Sequence, residues 1–216
     1  MVYVKPLGGA LQFRMWVTRG CFFVLSDRLK RKSRYSIAAI TTLSFCVFVF
    51  SFFALIVPFA SSSAVTKEVT LVLSILSLVI SVFIILITLL ENSKDYSLYA
   101  ENAYQIAHDL EELYNQYEAF LAGMITGSET EVRLTYSKIL RRARVSRKSI
   151  DYQEFKLKNR EAFGLTWKNI TPTAFAWTID AIFEYWIYFT MIAIPLATVV
   201  VVARYLFPKI FPEIFG

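Results

Sequence analysis

His108 is the only histidine in the chain, and an imidazole works as a general base only when a nucleophile and an orienting group stand beside it. It falls on a polar face next to Asp109, which reads as a surface histidine. Cys21 lies among aromatics near a basic stretch and Cys46 inside an apolar block. Neither the pairing of a disulfide framework nor the spacing of a metal site is present. No glycine-rich phosphate loop and no nucleophile elbow occurs. Glu101, Asp109, Glu111, Glu112 and Glu118 are spread as a solvated helix face. The expectation is a protein that is not an enzyme and that needs no cofactor and no metal.

The polar residues with a more specific pattern are hydroxyls inside apolar sequence. Thr70, Ser74, Ser77, Ser81 and Thr88 follow one another at spacings of 4, 3, 4 and 7, so on a helix they form one stripe. Thr41, Ser44 and Ser51 share a face in the preceding apolar block. Two readings stay open. Small hydroxyl residues let membrane helices approach closely and hydrogen-bond across their interface; alternatively, in an oligomer, the stripe turns to an axis and lines a narrow, mildly polar pore. No ionisable residue lies within either block, which disfavours a proton relay. The second concentrated feature is Arg141-Arg142-Ala143-Arg144-Val145-Ser146-Arg147-Lys148, five cations in eight positions on an expected helix. Anionic lipid headgroups, a protein partner or nucleic acid would each suit Arg141, Arg142, Arg144, Arg147 and Lys148. No aromatic is interleaved, so stacking on single-stranded bases has no local support.

The elements that must position these groups are membrane helices. The 216 residues are 56% hydrophobic and 19% charged, against about 25% charged in an average soluble domain. The apolar excess is concentrated in uncharged blocks at 37–60, 69–90 and 185–203, each long enough, at about 1.5 Å per residue, to approach or exceed the reach of a hydrocarbon core. Only residues 61–68 separate the first two, which predicts an antiparallel hairpin with a tight turn. Trp186, Tyr188 and Tyr205 flank the third block like an interfacial aromatic belt, and Pro195 would kink it. A re-entrant or surface-lying helix is the alternative for that block. The first block begins too late for a cleavable signal and reads as an anchor. Lys5, Arg14, Arg19, Arg28, Lys30, Arg31, Lys32 and Arg34 precede it with the single acid Asp27. Basic flanks stay inside, so the N-terminus and residues 91–180 are expected to be cytoplasmic, with the tail from Phe207 emerging on the far side. On this reading the juxtamembrane Lys30, Arg31, Lys32 and Arg34 only set orientation.

Residues 91–180 carry 12 basic and 13 acidic residues. Tyr96, Tyr99, Ala103, Ile106, Leu110, Leu113, Tyr117, Phe120 and Met124 recur at alternating spacings of 3 and 4, a heptad seam expected to continue directly from the second span without a helix breaker. One long rod is expected, ended by Gly123 and Gly127. Its seam is either an inter-subunit coiled coil or the face onto which the following helices fold back. Ser128-Glu129-Thr130-Glu131 is a capping box that starts a second helix. Asp151-Tyr152-Gln153-Glu154 offers the start of a short third helix, and Thr171-Pro172 the start of the last. The layout is therefore an all-α integral membrane protein: a basic N-terminal segment (1–36), an antiparallel two-helix transmembrane hairpin (37–90) continuing into a cytoplasmic helical segment (91–180), and a third C-terminal transmembrane helix with a short tail (181–216).

Lys32-Ser33-Arg34-Tyr35 leading into a span, a tight hairpin, and then Tyr96-Ser97-Leu98-Tyr99-Ala100-Glu101-Asn102-Ala103-Tyr104-Gln105-Ile106-Ala107-His108-Asp109-Leu110-Glu111-Glu112-Leu113-Tyr114 resemble the SLATT group, the SMODS and SLOG-associating two-transmembrane effector domains. The resemblance covers roughly residues 27–163. It implies a toxin-like, pore-forming effector of a bacterial antiphage conflict system, one that acts at the inner membrane when a partner senses infection and so causes abortive infection. The partners implied are a retron-type reverse transcriptase with its nucleic acid or a nucleotide-signalling enzyme, besides the lipid bilayer. A third span departs from the two-span plan. Two or three spans cannot enclose a channel alone, so a homo-oligomer is expected. A membrane-anchored scaffold that tethers a partner enzyme or ribonucleoprotein is the alternative, and a small-solute transporter has less support because no inverted repeat is visible.

Overall fold

The computed structural model describes residues 9–60, 64–165 and 167–210. They form six helices: α1 Ala10–Ala60, α2 Ala64–Asn92, α3 Tyr96–Leu121, α4 Glu129–Arg141, α5 Ser149–Lys158 and α6 Trp167–Ile210. The protein is an all-α membrane protein, and three of these helices, α1, α2 and α6, are long and apolar enough to cross a bilayer. The chain divides into two compact units. One combines the chain up to Ser33 with Tyr96–Glu184; the other combines Arg34–Asp95 with the chain from Tyr185 onward.

The first unit is organised by the N-terminal part of α1. Leu11, Met15, Phe22, Leu25 and Leu29 are buried at spacings of 4, 7, 3 and 4, with Trp16 beside them, the periodicity of a helix with one apolar stripe. That stripe lies in one core with Ala103, Ile106, Leu110, Leu113 and Tyr117 of α3. The heptad seam is therefore satisfied within the chain, and chiefly by a segment expected from sequence to be a basic N-terminal stretch. The ends of the seam are not covered: Tyr99 and Met124 are exposed. α4 adds Tyr136 and Ile139 to this core, with the Tyr136 hydroxyl 2.9 Å from Thr18 Oγ1. α5 adds Phe155, whose ring meets Trp16 edge-on at 5.0 Å between centroids and packs over Gly20.

Helix ends depart from expectation in four places. α2 stops at Asn92 and α3 begins at Tyr96, so the single rod is broken. The reason is local: Asn92-Ser93-Lys94-Asp95 are polar residues that compete for backbone partners. Ser93 Oγ donates to the Leu90 carbonyl at 2.7 Å, and Asp95 takes a left-handed φ of 41°. α4 opens with the expected capping box, Ser128 Oγ accepting from the Glu131 N–H and Glu131 from the Ser128 N–H. It ends, however, at Arg141, so the basic run lies in the connection to α5 and not on a helix. Ala143 and Val145 pack against the core there, drawing the chain out of helical register. α5 starts at Ser149, which makes Asp151 the third helical residue, accepting from the Lys148 N–H at 2.8 Å, and not the cap. α6 begins at Trp167, before Thr171-Pro172; Pro172 is its sixth residue, so the helix gives up one i→i−4 bond there and continues. α3 ends as expected, with Gly123 at φ 73° and the Met124 N–H donating to the Ala119 carbonyl.

In the second unit Cys46 and Phe50 of α1 are fully covered by Phe53, Ala54, Leu76, Ile80 and Val199. The third apolar helix thus packs on the hairpin. Tyr188 donates to Glu91 at 3.1 Å, and the rings of Tyr35 and Tyr185 meet at 5.1 Å. α6 stays helical through Pro195. Of the expected turn at 61–68, residues 64–68 belong to α2 and 61–63 lie outside the described residues, as do residues 211–216 of the expected far-side tail.

Candidate functional site

Arg28 is 3% exposed, and the carboxylate it meets, Asp151, is fully buried. Its Nε and Nη2 donate to the two Asp151 oxygens at 2.7 and 3.1 Å, a bidentate fork. Its Nη1 donates to Glu184 Oε1 at 2.6 Å. The same Glu184 oxygen takes Lys32 and, at 3.7 Å, Lys148. One turn away Arg31 donates to both oxygens of Glu154, which also meets Lys158 at 2.9 Å. α1, α5 and α6 are thus joined by a ladder of charges, every rung of which belongs to the first unit. Arg28, Arg31 and Lys32 do more than set orientation: they are structural counter-ions. The available signal in the sequence was the set of acids at 151, 154 and 184, of which Glu184 alone has no basic residue three or four positions away.

The two buried acids on α5 titrate in opposite senses. Burial pushes the Asp151 carboxyl above its ordinary value, further than the Arg28 charge pulls it down. For Glu154 burial also pushes upward, but Lys158 and Arg31 outweigh it and the carboxyl sits below its ordinary value. A depressed folded-state pKa gives stability that is present above the unfolded value, about 4.3 for Glu, and lost as pH falls through the folded value. A raised one gives the reverse: Asp151 favours folding below its unfolded value and loses that contribution as pH rises through its folded value. Wild type is therefore expected to melt above Glu154→Gln at pH 7 and to lose that advantage below about pH 4. Paired thermal melts across pH 3–7 check it; a constant gap would remove Glu154 from the ladder.

The basic run divides. Arg141, Arg142 and Arg144 are exposed. The Arg144 N–H donates to Asn102 Oδ1 at 3.0 Å, Arg147 stacks its guanidinium on Phe22 at 5.3 Å, and Lys148 faces Glu184. The hydroxyls divide as well. Ser51 and Ser77 meet across α1 and α2 at 2.9 Å. Ser74, Ser81 and Thr88 donate to the carbonyls of Thr70, Ser77 and Ile84 in their own helix, and Ser44 to that of Ile40. Thr41, Ser44 and Ser74 are exposed in a single copy, whereas Thr70, Ser77, Ser81 and Thr88 are half-buried. Exposed too are Leu71, Val72, Ile75 and Leu78 on α2 and Phe45, Phe48 and Phe52 on α1. Such a surface requires lipid or another copy to cover it. His108 is exposed, 3.9 Å from Glu111.

No curated protein and no solved structure matches the chain. Residues 9–201 match the SMODS and SLOG-associating 2TM effector domain family 5. The match takes in the N-terminal stripe of α1 and most of α6, both outside the stretch that carried the resemblance, so the third apolar helix belongs to the family's domain. This chain belongs to the SMODS and SLOG-associating 2TM effector domain family and is a membrane effector of that family.

Proposed function

We propose that the protein is an oligomeric effector of a bacterial antiphage system that permeabilises the inner membrane when a partner triggers it, arresting or killing the infected cell. The observation that supports this is the state of the spans in one copy: α2 carries an uncovered apolar surface together with a hydroxyl stripe in which Ser77 meets Ser51 of α1 while Ser74, Ser81 and Thr88 bond to carbonyls of their own helix. Hydroxyls bonded to their own helix carbonyls keep lone pairs free for water or an ion, so the stripe from Thr70 to Thr88, with Ser51, Ser44 and Thr41, can pack in a closed assembly and line a pore in an open one. The first unit, on the cytoplasmic side, receives the signal through a reverse transcriptase or nucleotide-signalling partner, and the second carries the membrane activity. Neither step requires catalysis by this chain.

Replacing Ser74, Ser77 and Ser81 together by leucine tests the assignment. Induction of the wild-type protein without its partner should reduce colony formation by orders of magnitude, and the triple variant at equal membrane abundance should restore it. A fully toxic triple variant would refute a pore along this stripe. The scaffold reading makes the opposite forecast, that the first unit keeps function on an unrelated anchor.

A further inference from the structure

The α4–α5 connection carries its free cations to the end of its unit from which the spans leave. Lys148 Nζ is 3.7 Å from Glu184 Oε1, and Lys32 reaches the same oxygen. Glu184 directly precedes the uncharged residues 185–203 in unbroken α6, and Lys32 stands five residues before Ile37 in unbroken α1. The Arg144 N–H is held by Asn102, in the second turn of α3. Beside Lys148 opens a cleft of about 360 Å³ lined by Lys32, Lys148, Ser149, Asp180, Phe183 and Glu184. Phe183 is 81% exposed, an apolar wall with nothing over it. Glu184 is offset by Arg28 and Lys32, which leaves Asp180 as the one uncompensated acid of the cleft. Against it stand Lys148, whose one ion pair among the described residues is the 3.7 Å contact with Glu184, and Arg142 and Arg144, which are exposed and in no ion pair among the described residues.

We propose that this connection and its cleft bind the phosphate headgroups of anionic phospholipids, with Arg142 and Arg144 on the phosphates, Lys148 at the mouth, and Phe183 at the acyl boundary. Three observations favour lipid over a nucleic-acid strand. Lys148 meets Glu184 at the border of one apolar span and shares that carboxylate with Lys32, five residues before another, the apolar wall of the cleft suits an acyl chain, and no aromatic is interleaved in the loop for base stacking. This site does not depend on whether the spans conduct.

Each basic residue near an anionic surface contributes a factor of up to about five in affinity, so three together contribute up to about a hundredfold. The test uses the full-length protein in a neutral maltoside detergent with equal amounts of dioleoyl phosphatidylglycerol and dioleoyl phosphatidylcholine, retained lipid being counted by native mass spectrometry. Wild type should retain the anionic lipid by about tenfold over the zwitterionic one. Arg142→Gln/Arg144→Gln/Lys148→Gln should bring the ratio close to one, while Lys138→Gln/Lys156→Gln/Arg160→Gln, which removes equal charge elsewhere on the unit, should leave it unchanged. Equal retention of the two lipids by wild type overturns the proposal without reference to any variant. So does a loop variant that keeps the preference, or equal loss in both variants. A single-stranded RNA oligomer added in place of lipid gives the last arm: binding by wild type that the loop variant abolishes, with lipid preference intact, would assign the surface to nucleic acid instead.

Discussion

Arg28→Ala is expected to lower the stability of the first unit by about 3–5 kcal/mol, the cost of leaving a buried charge without its partner. Asp151 is fully buried, and both its oxygens are held by the Arg28 fork. Without that fork the carboxylate keeps the Lys148 N–H as its close donor among the described residues, and Glu184 loses its shortest contact to α1 apart from Lys32. In detergent-purified protein the melting midpoint should fall by roughly 10 °C or more. The companion variant separates pairing from packing. Replacing both partners, Arg28→Met with Asp151→Leu, should recover much of the loss, because apolar groups of similar volume carry no desolvation penalty. Equal melting of Arg28→Ala and wild type would show that Asp151 is solvated or protonated in the folded protein.

Phe155→Ala is the second large effect, about 3–5 kcal/mol. The ring is 2% exposed and wedged between Trp16 and Phe163, at 5.0 and 6.0 Å between centroids. Its edge occupies the space where a Cβ on Gly20 would be: the distance from that position to Phe155 Cε2 is 1.9 Å. Gly20→Ala alone should therefore cost about 1–3 kcal/mol by overpacking, since a ring enclosed on its other sides has nowhere to retreat. The pair should be non-additive. With the ring gone, the added methyl group meets open space, and the double variant should be no less stable than Phe155→Ala. Additive losses would mean that Gly20 matters for its backbone and not for the ring.

The limits of what the sequence shows follow from particular residues. The spans were legible because lipid imposes a long run without charge, which composition alone displays, and the capping box at Ser128 and the stop at Gly123 were legible because each works through a few adjacent residues. The N-terminal part of α1 was not read as structure, although Leu11, Met15, Phe22, Leu25 and Leu29 have helical spacing. Its arginines and lysines satisfy the positive-inside rule so well that a second role left no separate trace. The break at Ser93–Asp95 was hidden by a heptad pattern that runs on after it; periodicity reports which face is apolar, and a three-residue interruption need not shift that face. The connection at 142–148 reads as helix by propensity, because arginine and alanine favour helix. What wins there is the tertiary contact of Ala143 and Val145 with the core. The charge ladder was the least visible feature of all. Arg28 and Asp151 are 123 residues apart, and no local rule pairs them.

The ladder also gives the proposed signal a mechanical route. α1 and α6 each run from the first unit into an apolar span without a break, and within the first unit Arg28, Lys32 and Glu184 tie them to one another and to α5. A partner that shifts α5 would act on both helices where they leave the unit, which is where a small displacement has a direct path to the spans.

As proposed, this chain opens the membrane. Inducing it alone in a bacterial host while recording a potential-sensitive dye is the most direct measurement. Wild type should depolarise the cells before growth stops, and Ser74→Leu/Ser77→Leu/Ser81→Leu should not; an unchanged membrane potential at verified membrane expression of the wild-type protein would contradict it.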